Sequence, residues 1–354
     1  MQNFNDPDIG KKLIERIEKL AEKAGPCTIM EVCGTHTMAI GRFGIRRLLP
    51  DTVRLVSGPG CPVCVTPGDY IDTAADIALS EDVTVATFGD MVRVPGIRTS
   101  LEQARAQGAR ITVITNPLDI FSIPGEVMFC AVGFETTAAP IAGALQRAVR
   151  DDHDNITFYT SLRLIPPTLA LLCADSDISI QGFLLPGHVS AVIGAQVYEF
   201  LEIPSCITGF EMTDILDSIG RILGMKAEGK GGVENGYSRV VTPGGNIKAC
   251  NLIEEYFEPC SEVWRGIGRL EDCSLAIRSE FSTFDARSRY GIRSEDDTGM
   301  PEGCSCGDVL KGLILPERCP LFGAGCTPDH PAGPCMVSSE GSCVAFFKYE
   351  RSAQ

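Results

Sequence analysis

No run of about 18 consecutive apolar residues occurs in this sequence, so nothing in it is read as crossing a bilayer. Positive charge is also short. Lys plus Arg number 31 against 46 Asp plus Glu, and the net charge of −15 repels polyphosphate backbones. Neither nucleic acid nor membrane is expected as a partner. The Gly-x4-Gly-Lys spacing of a phosphate-binding loop is missing, and no other nucleotide motif takes its place. The polar stretch Met1 to Gly10 lacks the basic-then-apolar order of a signal peptide, which predicts a cytoplasmic protein. Histidine is scarce, four in 354 residues, so each one at a strand end carries weight.

What is present reads as a globular chain of two or three domains, 44% hydrophobic and 22% charged, which excludes fibrous and disordered classes. Leu13, Ile14, Ile17, Leu20 and Ala21 recur at helical spacing, predicting an amphipathic helix over Asp8 to Gly25. Short β-rich runs follow at Thr28–Val32, Val53–Ser57, Val83–Phe88, Ile111–Thr115, Val127–Val132, Ile156–Thr160 and Gly182–Leu185. Helical patterns lie between them, as at Asp69–Leu79, Ala138–Val149 and Val189–Leu201. Such alternation predicts an α/β fold with parallel sheets. Pro117 and Pro124 in the Asn116–Gly125 turn divide it into α/β domains over 1–118 and 119–240. From about Val240 the alternation fades, and 241–354 is expected to form a small Cys-rich module.

Sixteen cysteines in a reducing compartment point to metal or redox chemistry rather than structural disulfides. Cys27, Cys173, Cys206, Cys250, Cys260 and Cys273 stand alone and read as small core residues. The others sit in context. Ligands of parallel α/β sheets bind beyond the carboxyl ends of the strands. Those ends here carry Cys33-Gly-Thr-His36-Thr, Gly58-Pro-Gly-Cys61-Pro-Val-Cys64, Gly89-Asp90, Gly133-Phe-Glu135-Thr-Thr, Pro186-Gly-His188 and Gly209-Phe-Glu211. Their loops are expected to line one cleft between two domains. Cys61 and Cys64 are spaced to share a metal or to form a disulfide, and Cys33 with His36 completes a soft-ligand set. The Gly133–Ala138 turn offers backbone amides to an anion, or else is a plain helix start capped by Thr136 or Thr137.

The tail places Cys304, Cys306, Cys319, Cys326, Cys335 and Cys343 within 40 residues. Four thiolates hold a [4Fe–4S] cluster or a structural zinc, but the paired knuckles of a zinc ribbon are missing. Cys304, Cys319, Cys326 and Cys343 form one self-consistent set, with Cys306 and Cys335 beside it. The spacing leaves either of those two open as a ligand.

These motifs in this order, with the tail from Cys319-Pro-Leu-Phe-Gly to Cys335-Met-Val-Ser-Ser-Glu-Gly-Ser-Cys343, resemble the HypD family of [NiFe]-hydrogenase maturation factors over nearly the whole chain. The resemblance implies two α/β domains plus a cluster module. It further implies a scaffold on which the Fe(CN)2CO group is assembled with the chaperone HypC, taking cyanide from HypE and delivering, through HypC, to the hydrogenase large subunit. By motif match Cys33, Cys61 and Cys64 would hold or serve the additional iron, with His36 nearby, and the tail cysteines would hold the [4Fe–4S] cluster. Glu135 and His188 are taken as further reactive residues of the cleft, and a monomer is expected. A cluster-dependent thiol/disulfide oxidoreductase is the rival reading. ATP hydrolysis with HypC is a family possibility for which the sequence shows no motif.

Overall fold

A computed structural model describes residues 7–293 and 299–351; part of the polar N-terminal stretch, residues 1–6, lies outside them. Eleven strands are formed: β1 (Cys27–Glu31), β2 (Val53–Ser57), β3 (Val83–Phe88), β4 (Ile111–Ile114), β5 (Glu126–Gly133), β6 (Ile156–Arg163), β7 (Gly182–Pro186), β8 (Ser205–Thr208), β9 (Val233–Asn235), β10 (Phe257–Trp264) and β11 (Gly268–Ile277). Among the described residues they build two sheets. The first is parallel throughout, in the order β2-β1-β7-β8-β9. The second runs β10-β11-β6-β5-β3-β4, parallel from β4 to β6 and antiparallel beyond. The expected α/β class with largely parallel sheets is the observed one.

Strands covered on both faces need apolar residues on both, and β5 and β7 read as nearly unbroken apolar runs accordingly. The helix Pro7–Ala24 buries Ile17 and Ala21 against Met212–Ala227, closing the outer face of the first sheet. The helix Glu135–Arg150 closes the outer face of the second through Ala138, Ile141 and Leu145. A third core joins the two sheets, taking Met30 and Leu185 from one, Met128 and Val132 from the other, and Cys335, Met336 and Val344 from the tail. Among the described residues no helix is long and apolar enough to cross a membrane.

Strand pairing does not follow the divisions read from the sequence. Segment 1–118 gives β1 and β2 to the first sheet but β3 and β4 to the second, and segment 119–240 is split in the same way. The Asn116–Gly125 turn carries a short 3-10 helix, Pro117–Ser122, that links β4 to β5 inside one sheet. Parallel neighbours are joined by crossovers, so a proline-rich turn marks the end of an element and not the edge of a sheet. Segment 241–354 retains strands as well: β10 and β11 form a hairpin at the edge of the second sheet. A register shift between Cys260 and Glu262 breaks the alternation that would have announced it. The predicted helix Val189–Leu201 is interrupted at Gly194, whose φ of 87° is outside the helical region. Of the six isolated cysteines, Cys27, Cys206 and Cys273 are buried and Cys250 and Cys260 half-buried, but Cys173 is exposed.

Candidate functional site

In each sheet the strand order reverses once. The first sheet turns at β1/β7 and the second at β3/β5, and the loops at such switch points are where α/β sheets bind ligands. Here the two face each other. A cleft is lined by Cys33 and Thr35 after β1, Gly60 after β2, Thr136 and Thr137 after β5, and His188 after β7. The helices Gly34–Arg42, Glu135–Arg150 and Ile165–Ala174 all begin at this cleft, so their positive dipole ends give it an anion-favouring field.

Cys33 is the residue immediately before the helix Gly34–Arg42, half-buried, with burial pushing its thiol up to about 12 while the amides of His36 and Thr35 work against that rise. At neutral pH it is a thiol that only a metal or a base would ionise. Beneath it lies Glu31, which accepts from the Cys33 amide (3.3 Å) and the Thr37 hydroxyl (2.5 Å); burial raises this carboxyl to about 7. The Gly60 backbone presses on Cys33. A side chain there would stand 2.2 Å from the Cys33 nitrogen, which is why the loop carrying Cys61 needs glycine.

Cys61 and Cys64 are buried and joined in a disulfide, their Cα atoms 5.3 Å apart. In that state the pair has no thiolate to give, and it joins Cys33 as a three-sulfur set only on reduction. The tail lies directly on these loops. Ser338 Oγ is 3.3 Å from Cys61 Sγ, and Asp90 at the end of β3 accepts from Ser339 N (2.8 Å), Ser339 Oγ (2.7 Å) and Ser338 Oγ (3.3 Å). Glu340 reaches the cleft, where Thr35 Oγ1 donates to it at 2.6 Å. Gly34 admits this approach, since a Cβ there would lie 2.6 Å from the Glu340 carbonyl oxygen. Ser342–Tyr349 then packs on Gly34–Arg42, with Arg46 paired to Glu350 at 2.5 Å.

Three residues upstream of Ser338, Cys335 belongs to a second, apolar-walled and tightly closed cavity. All six tail cysteines line it, together with Leu321, Phe322 and Met336. The sulfurs of Cys306 and Cys335 lie 2.7 Å apart. Among the described residues no three His, Cys, Asp or Glu side chains converge tightly enough to hold a single ion. The donor set of thiols in a dry pocket suits a soft metal centre whose ligands are spread over several irons.

The family model for HypD, described as the hydrogenase formation hypA family, matches residues 8–350. The chain belongs to the HypD family. It is 39% identical to the hydrogenase maturation factor HypD of Rhodobacter capsulatus, over 98% of this chain and 97% of the relative. It is 38% identical to HypD of Escherichia coli over 96% of both chains. A putative hydrogenase expression/formation protein of Methanocaldococcus jannaschii is likewise 38% identical, over 99% of this chain and 100% of its own length.

Within this HypD-family chain the predicted residues divide. Cys33 and His188 line the cleft, and Cys61 and Cys64 lie behind its wall. His36 is fully buried, one turn into its helix, with Nε2 donating to the Gly209 carbonyl at 3.1 Å; burial lowers it to about 4, so it stays neutral. Its ring stacks on Phe210 (4.6 Å between centroids), which stacks in turn on His188 (4.0 Å). Glu135 also points away from the opening. It accepts from the Ile165 amide at 2.8 Å, its other oxygen is buried without a partner, and burial raises it to about 7. The residue before the Glu135 helix is Phe134, so neither Thr136 nor Thr137 caps it. Glu340 and Arg265 are not marked out by the sequence reading, and Asp90 enters it only within the strand-end pair Gly89-Asp90. Only the tail motif Ser-Ser-Glu-Gly and the strand-end Gly-Asp gave a signal for Glu340 and Asp90.

Proposed function

We propose that this chain, with a HypC-type chaperone, is the scaffold on which the Fe(CN)2CO group of [NiFe]-hydrogenase is assembled, with cyanide arriving from HypE as a thiocyanate. The single observation that carries the reading is the convergence of Cys33, the Cys61–Cys64 loop and the Glu340 segment of the tail on one anion-favouring cleft. Cyanide is an anion and the ferrous iron that receives it is a soft centre, matched by helix N-termini and by thiolates respectively. Splitting a thiocyanate into thiolate and cyanide consumes two electrons. The Cys61–Cys64 dithiol yields two as it closes to the disulfide. A [4Fe–4S] cluster held by Cys304, Cys319, Cys326 and Cys343 would supply single electrons beside that pair, at the Cys335–Ser338 turn. Thr136, Thr137 and His188 would orient the cargo, and Cys33 would anchor it.

The test is anaerobic purification with the chaperone, then iron and sulfide analysis and an infrared spectrum. About four sulfides, iron beyond four, and cyanide and carbonyl stretches are the expected outcome. The disulfide between Cys61 and Cys64 also favours a free-standing thiol/disulfide oxidoreductase. That reading requires cluster iron alone and no such bands.

A further inference from the structure

Two arginines are fully buried among the described residues, and they are treated differently. Arg163 is paired with Glu262 at 2.8 Å. Arg265, in the turn between β10 and β11, forms no ion pair among the described residues. Its Nη1 donates to Pro95 O (2.7 Å) and Nη2 to Gly299 O (2.6 Å), while Nε is buried without a partner. Burial works against the charge of this guanidinium, and the groups that oppose burial are, in order, Cys306, Cys304, Cys335 and then Asp72.

The backbone fixes this placement. Arg265 N donates to Val65 O at 2.8 Å, one residue past Cys64. Gly266 and Gly307 touch, such that a Cβ on Gly307 would stand 2.2 Å from Gly266 O, and this brings the Cys306 turn against the arginine. Arg265 thus sits between the Cys61–Cys64 loop and the six-cysteine cavity. A buried cation that only carbonyls solvate is costly unless an anion lies near, and thiolates carrying a cluster are such an anion.

We propose that Arg265 is the fixed counter-charge of the tail cavity, a positioning residue that stabilises the negative charge of the bound cluster and raises its reduction potential. The inference rests on the cluster reading above. One-electron reduction adds negative charge to a centre that is already anionic, and a cation fixed in a low-dielectric interior favours the reduced form more than the oxidised one.

The experiment is anaerobic redox potentiometry of the full chain, followed by electron paramagnetic resonance, on the wild type, R265Q and R265K, with iron and sulfide counted in each. R265Q is expected to shift to lower potential, with R265K close to the wild type. An R265Q protein with full iron and sulfide and an unmoved potential overturns the assignment, as do equal shifts in both variants. Should R265Q fail to fold, R265K decides: wild-type potential and iron support the counter-charge, and a large downward shift with the charge retained overturns it. A wild type without acid-labile sulfide removes the cluster reading and this inference with it, whereas a cluster present at an unmoved potential removes this inference alone.

Discussion

The cleft and the tail cavity both gather sulfur, but on different supports. The cleft has Cys33 at the end of β1, with the Cys61–Cys64 pair behind its wall after β2, among helix N-termini and threonines. The cavity has six cysteines on turns and short helices between Cys304 and Cys343, walled by Leu321, Phe322 and Met336. Sheet ends are rigid and hold a few groups at fixed places, open to a cargo that comes and goes. Turns can reach every corner of a resident group, but they keep their shape only while that group and its ligands hold them. On the function proposed above, the difference separates a place of transfer from a place of storage.

The largest expected effect breaks the comparison outright. Cys33→Ser should reduce hydrogenase maturation to background and remove the cyanide and carbonyl bands, while four irons and four sulfides remain. Replacing Cys319 and Cys326 by Ser should do the reverse to the metal count, removing cluster iron and sulfide first. Metal analysis beside infrared spectra of the chaperone complex reads both. Loss of all iron in Cys33→Ser would show the two sites to be one.

The cleft was legible in the sequence to the extent that strand ends are. Cys33, Gly60, Thr136 and His188 follow apolar runs with glycine or proline beside them, and βα loops deliver such residues to one edge of a sheet. His36 was read as a cleft residue because it shares a motif with Cys33. Cys33, however, precedes the helix in an extended conformation and is outside its register, and His36 faces the Gly209–Phe210 layer instead. Which strands share a sheet was not legible. Nothing local in β3 says that it leaves β1 and β2 for another sheet, and the bulge in β10 hid the hairpin that completes it. The tail's cysteine count was plain. Its return to the cleft through Glu340 and Ser338 depends on contacts more than 200 residues apart in sequence, which no periodicity encodes.

A smaller effect concerns pH, and it belongs to the cleft. Burial raises Glu135 from 4.5 to about 7, so between those values the folded protein holds a proton that the unfolded chain releases, and stability falls as pH rises through the window. Glu31 acts in the same direction. His36, lowered from 6.5 to about 4, acts oppositely: its contribution is lost as pH falls from 6.5 towards 4. Glu135→Gln keeps an acceptor for the Ile165 amide and removes the ionisation. It should match the wild type near pH 5 and exceed it by about 2 kcal/mol at pH 8, less than the full shift because the amide nitrogen inherits a site without a partner. Urea denaturation at the two pH values measures this. An unchanged slope would place the titrating group elsewhere.

The smallest effect tests the tie between the two sites without touching a sulfur. Asp90 holds Ser338 and Ser339 through three hydrogen bonds to a single carboxylate oxygen, and Ser338 is the residue against Cys61. Asp90→Asn keeps an oxygen in place but removes the charge that strengthens those bonds, a change of about 1 kcal/mol. Global stability and cluster content should hardly move. Amide hydrogen exchange should quicken at Ser339 and Glu340, because local opening there costs less than unfolding the sheets on which the segment rests. If the turn Cys335–Ser338 is the route between cavity and cleft, reduction of the Cys61–Cys64 disulfide by cluster electrons should slow in the same variant, while reduction by a small dithiol in solution stays as it was. Equal slowing of both would mean that Asp90 sets the exposure of the disulfide, and the two sulfur sites would then be neighbours without being a pair.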